Sequence, residues 1–265
     1  MSVLTAGMLT ARIEGIGFWA NALPSWAAAQ AFAATGALVA DAPARPSPQL
    51  LAPNERRRAP ESVAVALEVA QAACQHAGRD AATLASVFAS THGDLAITDY
   101  MCATLAQDPA AISPIRFHNS VHNAAAGYWT IGNGCMAATT AISAFDASFA
   151  QGLVEALAQL AAGEDAVLLA AYDTSAIGPA ATLWSSTGLL GGALVLAAGD
   201  GPGVVLQATL ADGDAPVGDG PLARHAAGNA MAGMLPLFDA LAGHAPHALL
   251  PAGPGRLLRV ELRHG

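Results

Sequence analysis

The sequence contains no lysine; every one of its 11 cationic side chains is arginine. Charge of either sign is scarce, at 12% of residues, about half the usual fraction. The net charge is −9, which argues against nucleic acid as a partner. Cysteine is rare. Three residues at scattered positions (Cys74, Cys102, Cys135) make neither a disulfide framework nor a paired-cysteine metal site. That usage fits a reducing cytoplasm. No basic segment precedes an apolar one at Met1-Ser2-Val3-Leu4-Thr5, so no secretory leader is expected. The longest apolar run, roughly Leu189 to Ala198, is too short for a membrane span and is interrupted by glycine. Without lysine, Leu189-Leu190-Gly191-Gly192-Ala193 cannot complete a phosphate loop and reads as a strand with close backbone approach.

What is present is apolar surface. The chain has 265 residues, 54% of them hydrophobic, too many to coat as an ordinary monomer. A large apolar interface with another subunit accounts for the excess. The most informative local feature is Gly132-Asn133-Gly134-Cys135-Met136-Ala137-Ala138-Thr139-Thr140-Ala141-Ile142. Two glycines permit a tight turn before Cys135, and the small residues that follow predict a helix running to about Gly152. A thiol at a helix N-terminus faces unpaired N–H groups and the positive end of the dipole, which favour the thiolate. A buried, inert cysteine is the alternative.

Strand and helix patterns alternate along the chain. Ala11 to Ala20 reads as a β-rich run broken by Gly15 and Gly17, and Pro24 opens a helix to about Ala34. Residues 41–54 hold four prolines and read as an extended loop. Glu61 to His76 has a 3.6-residue apolar period. A strand at Leu84 to Ser90 precedes a helix ending near Gln107, and Asn119 to Trp129 reads as a further helix capped near Ser120. Ala166 to Ala171 is a continuous apolar run, as a strand covered on both faces requires. Strands at Gly191–Ala198 and Val204–Leu210, a helix over Asn229–Ala242 and a hairpin of His247–Leu250 with Arg256–Leu262 complete the chain. This order predicts a layered α/β fold, read as a single domain over 1–265.

Several of these segments carry a resemblance. Arg12-Ile13-Glu14-Gly15-Ile16-Gly17 resembles the opening strand of β-ketoacyl-acyl-carrier-protein synthases. Ser113-Pro114-Ile115-Arg116-Phe117 is similar to the segment before their nucleophile. Cys135, with Ala141-Ile142 six and seven residues later, resembles their nucleophile elbow, and Val167 to Asp173 the strand that follows. Asn119-Ser120-Val121-His122-Asn123-Ala124-Ala125-Ala126-Gly127-Tyr128-Trp129 is similar to short, chain-length-factor-like subunits of aryl-polyene biosynthesis. The resemblance spans residues 11–200. It implies a thiolase-like layered fold: a ketosynthase N-terminal half, then an abbreviated C-terminal lobe at 201–265 with a helix and a hairpin.

The departures from the family pattern shape the functional expectation. A condensing member uses Cys-His-His, the histidines steadying the enolate left by decarboxylation. No His-Gly-Thr-Gly-Thr segment occurs, and His225-Ala226-Ala227-Gly228 resembles an eroded remnant of the second histidine motif. The resemblance therefore implies a non-condensing partner subunit that shapes the acyl tunnel of a full-length ketosynthase and works with an acyl carrier protein. Cys135 is then a nucleophile or the vestige of one. Two alternatives stand beside this: a minimal acyltransferase using Cys135 with His225, and a non-catalytic scaffold homodimer. Ser120, His122, Asn123, Trp129 and Met136 are the expected tunnel or interface residues. Arg56-Arg57-Arg58, the one dense basic cluster, is the candidate carrier-docking patch, against a solvated loop junction. His118 and His122, four apart, have ligand spacing but lack a third ligand, so no metal is expected, and no cofactor.

Overall fold

The structure is a computed structural model that describes residues 7–199 and 201–265; the stretch Met1–Thr5, where no leader is expected, lies outside them. In chain order the elements are β1 (Met8–Ala20), α1 (Trp26–Thr35), α2 (Pro53–Arg58), α3 (Glu61–Ala77), β2 (Ala85–Ala89), α4 (Leu95–Gln107), α5 (Pro114–His118), α6 (Ala124–Asn133), β3 (Thr139–Ile142), α7 (Ser148–Ala162), β4 (Ala166–Asp173), β5 (Leu190–Ala197), β6 (Val204–Asp212), α8 (Pro221–His225), α9 (Leu235–Ala242), β7 (His247–Gly253) and β8 (Arg256–Arg263). No described helix is long and apolar enough to cross a membrane.

All eight strands join one mixed sheet in the order β3-β2-β4-β5-β1-β6-β8-β7. β3 and β4 run parallel to β2; the remaining pairs are antiparallel. β4 and β5 are buried along their whole lengths, the signature of strands with helices on both faces. The two-residue period divides their side chains between two cores. Leu168, Ala170 and Tyr172 face the layer of α3 and α6, whereas Val167, Leu169 and Ala171 face α7 and α9. β8 instead alternates: Leu258, Val260 and Leu262 point inward, Arg259, Glu261 and Arg263 outward. The expected C-terminal strands thus extend the sheet of the N-terminal half and share its core.

β1 joins the two regions. Its register shifts between Ile13 and Gly15, a bulge at Glu14 that changes the strand's direction. Glu14 accepts from Arg79 at 2.7 and 3.0 Å and pairs with Arg12. α7 touches both β4 and the far strand β7, so the sheet wraps around this helix. α3 lies close on the other face because Gly15 and Gly17 have no Cβ; one at Gly17 would stand 2.0 Å from the Val69 carbonyl oxygen.

Four sequence expectations change. The helix expected from Cys135 is absent: Gly134 takes the left-handed conformation (φ 61°) and ends α6, and the chain then enters β3. Thr139, Thr140 and Ile142 are β-branched and suit pairing with β2; the helix begins only at Ser148. The helix expected over Asn119–Trp129 begins only at Ala124, after a turn, and runs on to Asn133 as α6. Within the expected loop, Pro53 sits at the start of a short helix, α2, that carries the arginines. The last helix starts at Leu235, because Pro236 has no N–H to give a longer helix.

Candidate functional site

A sharp strand-to-helix turn follows β3 at the end of the sheet. Ser143 and Ala144 leave the strand, Phe145 adopts φ 49°, and one 3-10 turn leads into α7. Positive φ in a bulky residue is strained, and the surroundings hold it. The Phe145 carbonyl accepts from Ser148 Oγ at 2.7 Å, and the Ala144 N–H donates to that hydroxyl at 2.9 Å. Ser143 Oγ donates to the Thr91 carbonyl at 2.9 Å, and Thr91 Oγ1 returns a long contact to the Phe145 carbonyl at 3.4 Å. This turn has the geometry of a nucleophile elbow. Its tip is a phenyl ring, 67% exposed.

Asp173, at the end of β4 and 1% exposed, ties the neighbouring loop to the sheet. It accepts from Ser90 Oγ (2.8 Å), Thr91 N–H (2.8 Å) and His92 N–H (3.2 Å). Burial pushes its carboxyl above the usual carboxylate range, against the pull of those hydrogen bonds. Across from the turn, Asn229 donates to the carbonyls of Asp173, Thr187 and Gly188 at 3.2–3.3 Å and accepts from the Met231 N–H. Its amide is thereby spent on backbone. Between the turn and this segment lies a cavity of about 400 Å³, lined by Asp146, Ser185, Gly228, Asn229 and Pro251 among others. A second, of about 460 Å³, adjoins Phe145 and shares Asp146, Ala215 and Pro251. Neither is lined by cysteine or histidine, so a Cys-His-His set is missing from both.

The residues singled out from sequence do not converge there. Cys135 is 5% exposed, its N–H donating to Thr130 O at 2.8 Å and its thiol facing Leu84 O at 3.5 Å. It follows a helix C-terminus, so the N-terminal dipole expected beside it is missing. His225 lies on α8, with Nε2 donating to Asn21 O at 2.7 Å and its ring against Phe32. Leu84, beside Cys135, belongs to the α3 core, and Leu222 on α8 to the α7 core. The sheet therefore separates Cys135 from His225. Trp129 is fully buried against Phe88, a core residue that reaches no surface. His122 donates through Nε2 to Ser90 O at 2.9 Å, bracing the same loop that Asp173 holds. Ser120, Asn123 and Met136 are exposed. His118 ends α5 and His122 lies in the following turn, so the two do not share a helix face; no group of three metal-ligating side chains occurs among the described residues. Arg57 and Arg58 are exposed on α2, whereas Arg56 is partly buried and donates to Leu51 O at 2.8 Å.

Sequence reasoning missed Phe145, Asp173 and Asn229. The β-branched run Thr139–Ile142, followed by small residues and then Phe149, Leu153, Leu157 and Leu160 at helical spacing, was the available signal for the turn.

Comparison with known proteins agrees with this architecture. The family described as "Beta-ketoacyl synthase, N-terminal domain" matches residues 25–220. No protein of curated function matches the chain. Among solved structures, a chain of the ketosynthase ApeO in complex with its chain length factor ApeC from Xenorhabdus doucetiae superposes with a TM-score of 0.75 at 24% identity, covering 96% of this chain and 99% of that one. A chain of the ishigamide ketosynthase/chain length factor gives 0.72 at 15% identity, over 97% and 100%. A chain of the AntDE:AntF complex, a type II acyl-carrier protein with its ketosynthase, gives 0.72 at 11% identity, over 97% and 99%. The fold is thiolase-like and ketosynthase-like, and the chain belongs to the β-ketoacyl synthase N-terminal domain family.

Proposed function

We propose that this chain is the non-condensing, chain-length-factor-like partner of a full-length ketosynthase and shapes the acyl tunnel of the pair. The observation that carries the reading is Phe145 at the tip of the elbow: no bond to an acyl group can form there. The Asn229 amide is spent on backbone carbonyls and His225 Nε2 on the Asn21 carbonyl, so neither is free to polarise a thioester.

The surface supports a partner. β3 is an edge strand whose outer N–H and C=O groups are free, a template for strand addition. Exposed apolar side chains flank it: Ile131 and Met136 before, Phe145 after, with Ile115, Phe117 and Val121 on the neighbouring segment. Two of the complexes with similar chains pair a ketosynthase with a chain length factor, and a third holds an acyl-carrier protein with its ketosynthase. On this reading Ser120, His122, Asn123 and Met136 lie at or behind the joint surface, and Arg57 and Arg58 are available to an acidic carrier.

Co-expression with the full-length ketosynthase of the same pathway, followed by sizing and intact-mass measurement, tests the proposal. The expected product is a 1:1 complex bearing acyl groups on the other subunit alone. Extension of a primer with malonyl donors by the purified chain overturns it, as does recovery of this chain only as a homodimer.

A further inference from the structure

The elbow combines a strained backbone with a tip that carries no nucleophile. Four described residues other than glycine have positive φ: Ala22, Asp41, Phe145 and His244. Phe145 is the bulky apolar one. It combines a backbone conformation costing on the order of 1 kcal/mol or more with a ring that is 67% exposed. Neither condition stabilises the isolated chain. The side chains of Thr91, Ser143 and Ser148 nevertheless hold the backbone of the turn in place, so the Cα–Cβ bond of Phe145 has a set direction. It stands three residues beyond the free edge of β3, with Met136, 94% exposed, three residues before that edge.

We propose that Phe145 is an anchor for the ketosynthase partner: the strained turn aims a phenyl ring into the partner's surface beside the strand added to β3. The inference rests on the partner-subunit reading above. An exposed aromatic side chain on a fixed backbone next to a sheet edge is the chemistry of an interface hot spot, and the pre-set backbone reduces the ordering entropy of association. The occupant is an apolar hollow of the ketosynthase, because the neighbouring β3 is an edge strand, whose hydrogen-bonding row a protein strand matches and a small ligand does not.

The test uses the split between stability and binding. Phe145→Gly relieves the left-handed strain while adding unfolded-state entropy. The thermal midpoint of the isolated chain should therefore stay within about 2 °C of wild type or rise. Affinity for the co-purified ketosynthase should fall roughly tenfold to a hundredfold. Phe145→Leu should recover part of that loss, and Leu38→Ala, an exposed apolar residue far from β3 in sequence, should bind as wild type. Wild-type binding by Phe145→Gly overturns the inference alone. A marked fall in its thermal midpoint also overturns it, because the ring then packs on its own chain. Failure of the wild-type chain to bind any ketosynthase overturns the partner reading and this inference together.

Discussion

At Gly17 an added methyl would stand 2.0 Å from the Val69 carbonyl oxygen and 3.1 Å from the Ala73 amide nitrogen. Those atoms belong to the backbone of α3, which cannot rotate aside as a side chain can. Gly17→Ala is therefore expected to destabilise the chain by about 2–3 kcal/mol, measured as a lower midpoint in urea with an unchanged slope. The cysteines make a second test among single residues. Cys102 is exposed on α4, whereas Cys74 and Cys135 are buried, and burial pushes the Cys74 thiol up to about 12. Iodoacetamide should modify Cys102 in the native protein and reach the other two only after unfolding. Early native-state labelling of Cys135, followed by peptide mass mapping, would contradict its placement behind Leu84.

At the scale of elements, legibility followed burial on both faces. β4, β5 and α3 lie close to where periodicity and apolar runs put them, because each pattern reports a local rule: a covered strand is uniformly apolar, and a helix repeats every 3.6 residues. The region 119–148 was misread for the opposite reason. α6, β3 and the elbow are short, and small residues such as Ala137 and Ala138 are compatible with helix or loop. β3 exists because β2 offers a parallel edge, and β2 is fixed by residues some 50 positions earlier. A four-residue strand formed on a distant template leaves little periodicity to detect. The candidate site shared this blindness: the glycines before Cys135 resembled the approach to a nucleophile, but Gly134 closes a helix rather than opening one.

For the whole molecule, the bulge at Glu14 is the corner about which the sheet turns to enclose α7. The Arg79 guanidinium, with Arg12 beside it, holds the Glu14 carboxyl below its ordinary value of 4.5. A carboxylate lowered in the folded state adds stability above its unfolded value, and that stability is lost as pH falls through the folded value. Glu14→Gln should therefore cost about 1 kcal/mol near neutrality, the difference fading below about pH 4. Denaturation curves of the two proteins across pH read this directly; a pH-independent difference would remove Glu14's charge from the account. The same scale frames association. With 12% charged residues and apolar side chains flanking a free strand edge, the isolated chain has an unfinished surface.

The order of amino acids alone carries the layered α/β class, the central strands, the long helices, the closing hairpin and the kinship with ketosynthases. These depend on local patterning and on residue types quoted in order. The tertiary structure decided where the chemistry does and does not meet. It placed Cys135 and His225 on opposite faces of one sheet, put a phenyl ring on the elbow, and joined the C-terminal strands to β1. Each of these is a contact between segments tens to hundreds of positions apart, set by which edges and faces remain to be covered once the core has formed, and no local period records it.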